Sequence, residues 1–405
     1  MHIALVLHIY QPPTQYRKML DRVTRESYQR LVEILEETTS AKLTLNLNAS
    51  LTEQLAAAGF GELLGRIRKL SETGQIEFTG SAAYHPILPD LPKREIARQI
   101  NLNTAINQSY FGSAYQPRGF FPPELAYNDI VGDVLERLGF GWTLIDGTGI
   151  ADWQKYLNFI YRREQGNLLV FPREDAVSWK IAFGRIRTVL GLQRAVGAQE
   201  IGKRQYLVLA MDGETFGHHQ PKQLDFLQRL LRQSQTDRRI KMVTVSQLVD
   251  LYPDRRPTEI LPSTWGFTEE VGGERVWVRW RNPRNPLHGA LNRLRSIAIK
   301  AVDSRDREAR GLLDKALASD TWWWASGKPF WHPDMVKRGA QLLCTAVGKS
   351  RYATVEQRNQ AQYLCYRVIP EEFRLLRTKN QRNRILNRTN LDRHLGQRNK
   401  ENPKT

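Results

Sequence analysis

The stretch YLVLAMDGETFGHHQ, residues 206–220, decides how the chain is read. An apolar run, Tyr206–Met211, ends at Asp212, and a glycine-punctuated loop follows with Glu214, His218 and His219. A short apolar run bounded by turn residues reads as a buried strand. An acid at its C-terminal end is either a turn Asp closing an Asx turn or a carboxylate placed for chemistry. The same arrangement recurs upstream. His8 and Gln11 follow Ile3–Leu7, Glu124 follows Arg118–Phe121 and two prolines, and Asp146 follows Trp142–Ile145. Lys42–Leu47, Gln75–Thr79, Leu168–Phe171 and Lys241–Val245 are further strand candidates. Helical periodicity lies between them at Ser27–Thr38, Phe60–Ser71, Lys93–Tyr110, Val131–Leu138 and Pro221–Gln233. Ser50 to Glu53 reads as a capping box opening a helix through Ala58. Alternating strands and helices predict an α/β fold on a parallel sheet, closed or open. Polar residues gathered past the strand ends predict a site at that face, as in a parallel barrel.

The chain has 405 residues, enough for one large domain and a smaller one. After about Leu261 the strand pattern stops. A Trp-, Gly- and Arg-rich stretch, 265–285, leads into helical patterns at Leu287–Val302, Asp306–Ser319, Met335–Val347 and Thr354–Arg377. The expected division is a catalytic barrel over 1–262, a helical domain over 263–379 and a basic tail over 380–405 that stays solvated and disordered. The formal charge is +18, which raises the question of a polyanionic partner. From Arg374 to Thr405 there are ten Lys/Arg against Asp392 and Glu401, so +8 of it sits there. No aromatic residue follows Phe373, so that stretch has no base-stacking platform and nucleic acid is disfavoured as a partner. Two cysteines, Cys344 and Cys365, cannot build a disulfide framework and read as core residues. No run reaches the roughly 18 apolar residues of a membrane span, and MHIALVLHIYQPP lacks the basic start of a signal peptide. A cytoplasmic protein without a membrane partner is the expectation, and oligomeric state is left open.

Several candidate groups cluster in motif-like loops. Glu124, in GFFPPELAY (119–127), is either an ordinary acid after Pro123 in a first helical turn or a carboxyl held in rigid apolar surroundings that raise or fix it. Glu77, Tyr84 and His85 lie in GQIEFTGSAAYHPILPDLP (74–92). SDTWWWASGKPFWHPD (319–334) has Asp320 ahead of four tryptophans. Such indoles are either packing residues or flat platforms for the C–H faces of sugars. Asp212, His218, His219 and His8 or His85 could also ligate zinc, which would suit a metal-dependent deacetylase-like enzyme. Adjacent His218 and His219 cannot easily both reach one ion, which ranks that reading lower. A non-catalytic glucan- or polyanion-binding protein is the third class.

Taken together, five stretches in order resemble the motifs of glycoside hydrolase family 57: HIYQP (8–12), GQIEFTG (74–80), FPPELAY (121–127), MDGETFG (211–217) and SDTWWWA (319–325). WVRWRNPRNPLHGAL (277–291) resembles the family's link into its helical region. The resemblance implies a distorted, incomplete (β/α)7 barrel with a C-terminal α-helical domain. Eight strand candidates leave one surplus, and Leu168–Phe171 is chosen because no helical pattern follows it closely. The resemblance also implies a retaining, α-amylase-like enzyme acting on starch, glycogen or maltooligosaccharides, with 4-α-glucanotransferase or branching activity as the alternative. By matching positions, Glu124 would be the nucleophile and Asp212 the general acid/base. His8, Glu77, His219 and Asp320 match positions around the cleaved sugar. Gln11, His85 and Glu214 are further expected substrate contacts, with Trp265, Trp322, Trp323 and Trp324 as walls. No cofactor and no metal are implied. Tyr10 stands where the first motif often has a second His, a departure that bears on specificity.

Overall fold

The computed structural model describes residues 1–155, 158–197, 205–237, 239–266, 268–327, 331–376 and 378. The chain divides into two compact units. One is Met1–Thr268 with Leu317–Ser319; the other is Glu269–Ala316 with the described residues from Asp320 onward. The basic tail expected over 380–405 lies outside the described residues.

In the first unit the strands are β1 (His2–Ile9), β2 (Leu43–Leu47), β3 (Ile76–Thr79), β4 (Gly119–Phe120), β5 (Trp142–Ile145), β6 (Ile160–Arg163), β7 (Leu169–Pro172), β8 (Tyr206–Asp212), β9 (Lys241–Val243) and β10 (Arg255–Thr258). They form an α/β fold with mostly parallel sheets. One sheet has the order β3-β2-β1-β8, and β9 also pairs with β1. Because β8 pairs with β1 from His2 to His8, β9 and β2 divide the opposite edge, at His2–Ala4 and Val6–Ile9. The other sheet has the order β10-β6-β7-β5-β4, with only β6 and β7 antiparallel. The two sheets meet at both ends. Gly80 forms a parallel bridge with Phe120, and its N–H donates to Gly119 O at 2.8 Å. At the far side Glu174 N, just past β7, donates to Val208 O on β8 at 2.8 Å.

Strand alternation sorts the core into two faces. Ile3, Leu5, Leu7 and Ile9 of β1 pack with Leu43, Leu45, Leu207 and Leu209 and with apolar faces of helices, including Leu31, Leu35 and Leu64. Ala4 and Val6 pack inward with Val208, Ala210, Leu144 and Phe171. His8 continues the inward row. Burial on both faces is why these strands read as continuous apolar runs.

Leu168–Phe171, expected to be surplus, is instead an inner strand. As β7 it pairs with β5 on one edge and β6 on the other. Its crossover does contain helices, Asp175–Ala182 and Val189–Val196, the first capped by Glu174 accepting from Val177 N. The strands β6 and β10 were not anticipated: RRPT is an edge strand with exposed residues and a proline, while IYRR is inner and largely buried, its Arg163 paired with Asp129, Asp133 and Glu136. The expected capping box is also absent. Asn48 precedes the helix Ala49–Ala57, and Ser50 lies inside it. The Ser50 hydroxyl donates to Gln11 O at 2.8 Å, so a tertiary acceptor takes the side chain the local motif would have used.

The second unit opens with a hairpin of β11 (Thr268–Val271) and β12 (Glu274–Trp277). It continues in helices Pro286–Ala301, Arg307–Ala316, Asp320–Ala325 and Pro333–Lys349, and in a helical run over 355–376. The segment Asp306–Ser319, read as one helix, stops at Ala316, and its last three residues belong to the first unit. Cys344 and Cys365 are buried thiols.

Candidate active site

The strand register sets one polar layer across the inner face. His8 on β1 stands level with Asp212 on β8 and Asn46 on β2, and Asn46 stands level with Thr79 on β3. His8 Nδ1 lies 2.6 Å from Asn46 Oδ1, and Asn46 Nδ2 donates to Thr79 Oγ1 at 2.8 Å. The His8 ring lies flat against Phe121, with centroids 5.1 Å apart and planes 3° apart. On it stacks His85 at 4.9 Å, and on His85 stacks Tyr10 at 4.1 Å. Burial pushes the His8 imidazole down, against the pull of the Asp212 charge and the Asn46 hydrogen bond. Burial, with the neighbouring His8, pushes His85 well down. Two neutral imidazoles therefore line this wall at neutral pH. Ser319 fixes His85 twice, its N–H donating to His85 O at 3.0 Å and its Oγ lying 3.0 Å from Nδ1.

Glu124 projects from a short turn, Pro123–Leu125, directly after β4. Its backbone is left-handed, φ 59° and ψ 19°, and Leu125 follows at φ 47°. For a side-chain-bearing residue that conformation costs of order 1–2 kcal/mol, and it persists only where the surroundings over-determine it. They do so here. Glu124 O accepts from Thr264 Oγ1 at 2.8 Å and Trp265 N at 3.1 Å, while Tyr127 and Ser263 exchange backbone hydrogen bonds. Trp265 Nε1 donates to Glu124 Oε2 at 2.7 Å, and His85 Nδ1 lies 3.9 Å from Oε1. The reading of Glu124 as an ordinary first-turn helical acid does not describe this geometry.

Asp212 ends β8. Burial raises its carboxyl above the ordinary range, while His8 and Arg173 pull it down. Two residues on, Glu214 is only 5% exposed. Its Oε1 accepts from Tyr28 OH, from Gln11 Nε2 at 3.2 Å and from Tyr10 N at 3.4 Å. Burial and the Asp212 charge push Glu214 up to about 8. Tyr28 arrives on a π-turn, Thr24–Tyr28, inside the helical run 17–37. From the same turn Ser27 Oγ donates to Gly213 O at 3.0 Å. Gly217 has φ 110°, and a Cβ there would collide with Glu26 O. The loop after Asp212 is glycine-rich because the π-turn lies against its backbone.

A model of glycosyl hydrolase family 57 matches residues 3–262. The chain belongs to glycosyl hydrolase family 57. Among curated family relatives, an alpha-amylase of Pyrococcus horikoshii is 23% identical over 218 residues, covering 52% of this chain and 33% of that protein. A 4-alpha-glucanotransferase of Thermococcus kodakarensis is 22% identical over 359 residues, covering 78% of this chain and 53% of that protein. The chain thus spans between a third and about half the length of these relatives. A solved branching enzyme of the same family from P. horikoshii matches with a TM-score of 0.67 at 19% identity, covering 90% of this chain and 94% of that one. A solved 4-alpha-glucanotransferase from Thermococcus litoralis matches with a TM-score of 0.70 at 18% identity, covering 85% and 58%.

In this family 57 chain the expected site residues do not all converge. Glu77 stands level with Thr44 and Val6, one inward step below His8. Its Oε2 accepts from Thr44 Oγ1 and Ser246 N, both at 3.1 Å, so it binds the start of the helix Val245–Leu251. Gln11 is buried between Tyr28 and Glu214. His219 is exposed, while His218 Nδ1 lies 2.6 Å from Glu26 Oε2. In the second unit Asp320 starts the helix Asp320–Ala325. Trp322 is 2% exposed and donates to Asn292 Oδ1 at 2.8 Å, a packing role within that unit. Trp323 and Trp324 are half-buried and meet edge to face at 4.5 Å. Among the described residues no group of three or more His, Cys, Asp and Glu side chains could hold a metal ion, and no helix is long and apolar enough to cross a membrane.

Four contributing residues escaped the sequence reading: Asn46, Tyr28, Ser319 and Arg173. Asn46 left a signal, a polar residue inside an apolar run. Tyr28 left none, since a tyrosine on an amphipathic helix is ordinary.

Proposed function

We propose that this chain is a retaining glycosidase acting on α-glucans, with Glu124 as nucleophile and Asp212 as general acid/base, built on an incomplete seven-stranded (β/α) barrel followed in the chain by a helical domain. The observation that carries the reading is the pair of differently treated carboxyls. Glu124 is held in a strained backbone and fixed at one oxygen by the Trp265 N–H. Asp212 is raised by burial. A carboxylate fixed in place suits attack on the anomeric carbon, and a raised carboxyl suits protonation of the leaving oxygen. In the first step Glu124 bonds to the anomeric carbon as that carbon's bond to the glycosidic oxygen breaks, and the Asp212 proton goes to the departing oxygen. In the second, Asp212 takes a proton from water or a sugar hydroxyl, which displaces Glu124 from that carbon. The neutral His8 and His85 rings and Tyr10 offer hydrogen-bonding and stacking surfaces to the sugar held there.

The curated relatives named as alpha-amylases support starch-type substrates and hydrolysis. The 4-alpha-glucanotransferases, which align over more of the chain, support transfer as the second reading. The seven-strand reading is supported by the ring of contacts β1, β2, β3, β4, β5, β7 and β8. Incubation with maltoheptaose tests the function. Only shorter sugars mean hydrolysis, longer ones mean transfer, and new α-1,6 linkages mean branching. Glu124→Gln and Asp212→Asn are each expected to lose at least a thousandfold in kcat/KM. Turnover near wild type in either variant sinks the assignment.

A further inference from the structure

We infer that Arg173 is a positioning residue that couples the two reacting carboxyls, holding the Trp265–Glu124 pair through the indole face and, from the end of β7, the β8 backbone two residues before Asp212. This rests on the roles proposed for Glu124 and Asp212. Arg173 is buried, 3% exposed, immediately after β7. Its Nε donates to Ala210 O at 2.7 Å, two residues before Asp212. Its Nη1 donates to Asp175 Oδ1 at 2.8 Å and lies 4.0 Å from Asp146 Oδ2. Its guanidinium carbon lies 5.5 Å from the centroid of the Trp265 ring, within cation–π range. That indole holds Glu124 Oε2. A single planar fork therefore touches the strand carrying one carboxyl and the ring holding the other.

The charge balance follows from the same geometry. Asp146 and Asp175 both approach the guanidinium, and burial with the Asp146 charge pushes Asp175 up to about 7. The charged and titratable groups facing Asp212 are Arg173, His8 from β1, Glu214 from its own turn and Tyr28 from the helical run 17–37. Of the two groups that pull Asp212 down, His8 is itself lowered by burial, and Arg173 is the guanidinium. Removing it raises Asp212 further.

The test compares Arg173→Gln and Arg173→Lys in the full chain. Asp212 is titrated by ¹³C-carboxyl NMR in the free protein, and kcat and KM on maltoheptaose are measured across pH. Arg173→Gln is expected to raise the Asp212 midpoint by roughly one pH unit. It should also lower kcat ten- to a hundredfold with KM within threefold, since a positioning loss falls on the reacting step. Arg173→Lys should restore the midpoint but not kcat, because an ammonium cannot span Ala210, Asp175 and the indole together. If Arg173→Gln does not fold, Arg173→Lys decides the matter, because wild-type kcat in it overturns the inference. An Asp212 midpoint unmoved in folded Arg173→Gln overturns the inference, as does a loss confined to KM in either variant. The titration needs no turnover. Active Glu124→Gln with a shifted midpoint would therefore condemn the proposed roles and leave the Arg173–Asp212 coupling standing.

Discussion

Glu214 illustrates what burial does to a single carboxyl. Folded, it keeps its proton to about pH 8; unfolded, it gives that proton up near its ordinary value of 4.5. Between those limits the native state binds the extra proton, so this group's contribution makes the protein less stable as pH rises. At about 1.36 kcal/mol per pH unit the change is roughly 5 kcal/mol across the window. Glu214→Gln keeps the size and an acceptor for Tyr28 and Gln11 but has no proton to lose. Denaturant unfolding from pH 5 to pH 8 should show a shallower fall for that variant, and an identical slope would mean Glu214 is ionised in the native state throughout. Sequence could flag Asp212 and Glu214 as acids on a strand-end loop. It could not separate them, because their difference lies in Tyr28, Gln11 and the Tyr10 N–H, which arrive from other elements.

At the scale of elements, the π-turn Thr24–Tyr28 and the loop after β8 are one device. Gly217→Ala combines a left-handed φ with a collision against Glu26 O, and a cost of about 2–4 kcal/mol is expected. Gly59→Ala is the control, with φ 85° and no atom near its Cβ, and should cost about 1 kcal/mol. Urea unfolding of both measures the gap, and equal costs would mean the π-turn yields freely. The inner strands were legible because burial on both faces leaves continuous apolar runs. The strands β6 and β10 were not, since the arginines in both break the apolar run. The π-turn was invisible for a related reason: one extra residue in a helical turn leaves an amphipathic pattern nearly intact.

For the molecule as a whole, the charge of +18 separates into a site region and a terminal excess. The residues around Glu124 and Asp212 are carboxyls, neutral imidazoles and aromatic rings, suited to an uncharged ligand. A chain ending at Arg377 should keep turnover on maltoheptaose within about twofold while its retention on a cation exchanger falls. A larger loss of turnover would give the basic terminal segment a part in glucan binding. The order of five motifs pointed to the family without any view of the fold. Their spatial roles needed coordinates: Glu77, expected beside the cleaved sugar, binds Thr44 and the start of the helix Val245–Leu251.

The three residues Leu317–Ser319 have a consequence for synthesis on the ribosome. Ser319 fixes His85 from a position 234 residues later in the chain. The strands of the first unit are all translated by Thr258, but the His85 wall of the stack is not secured until Ser319 has left the exit tunnel. A nascent chain arrested before that point should carry the strands and still lack an ordered His85. A gene fragment stopping at 268 would make that state permanent, and any shortened chain meant to keep the first unit whole must run past 319.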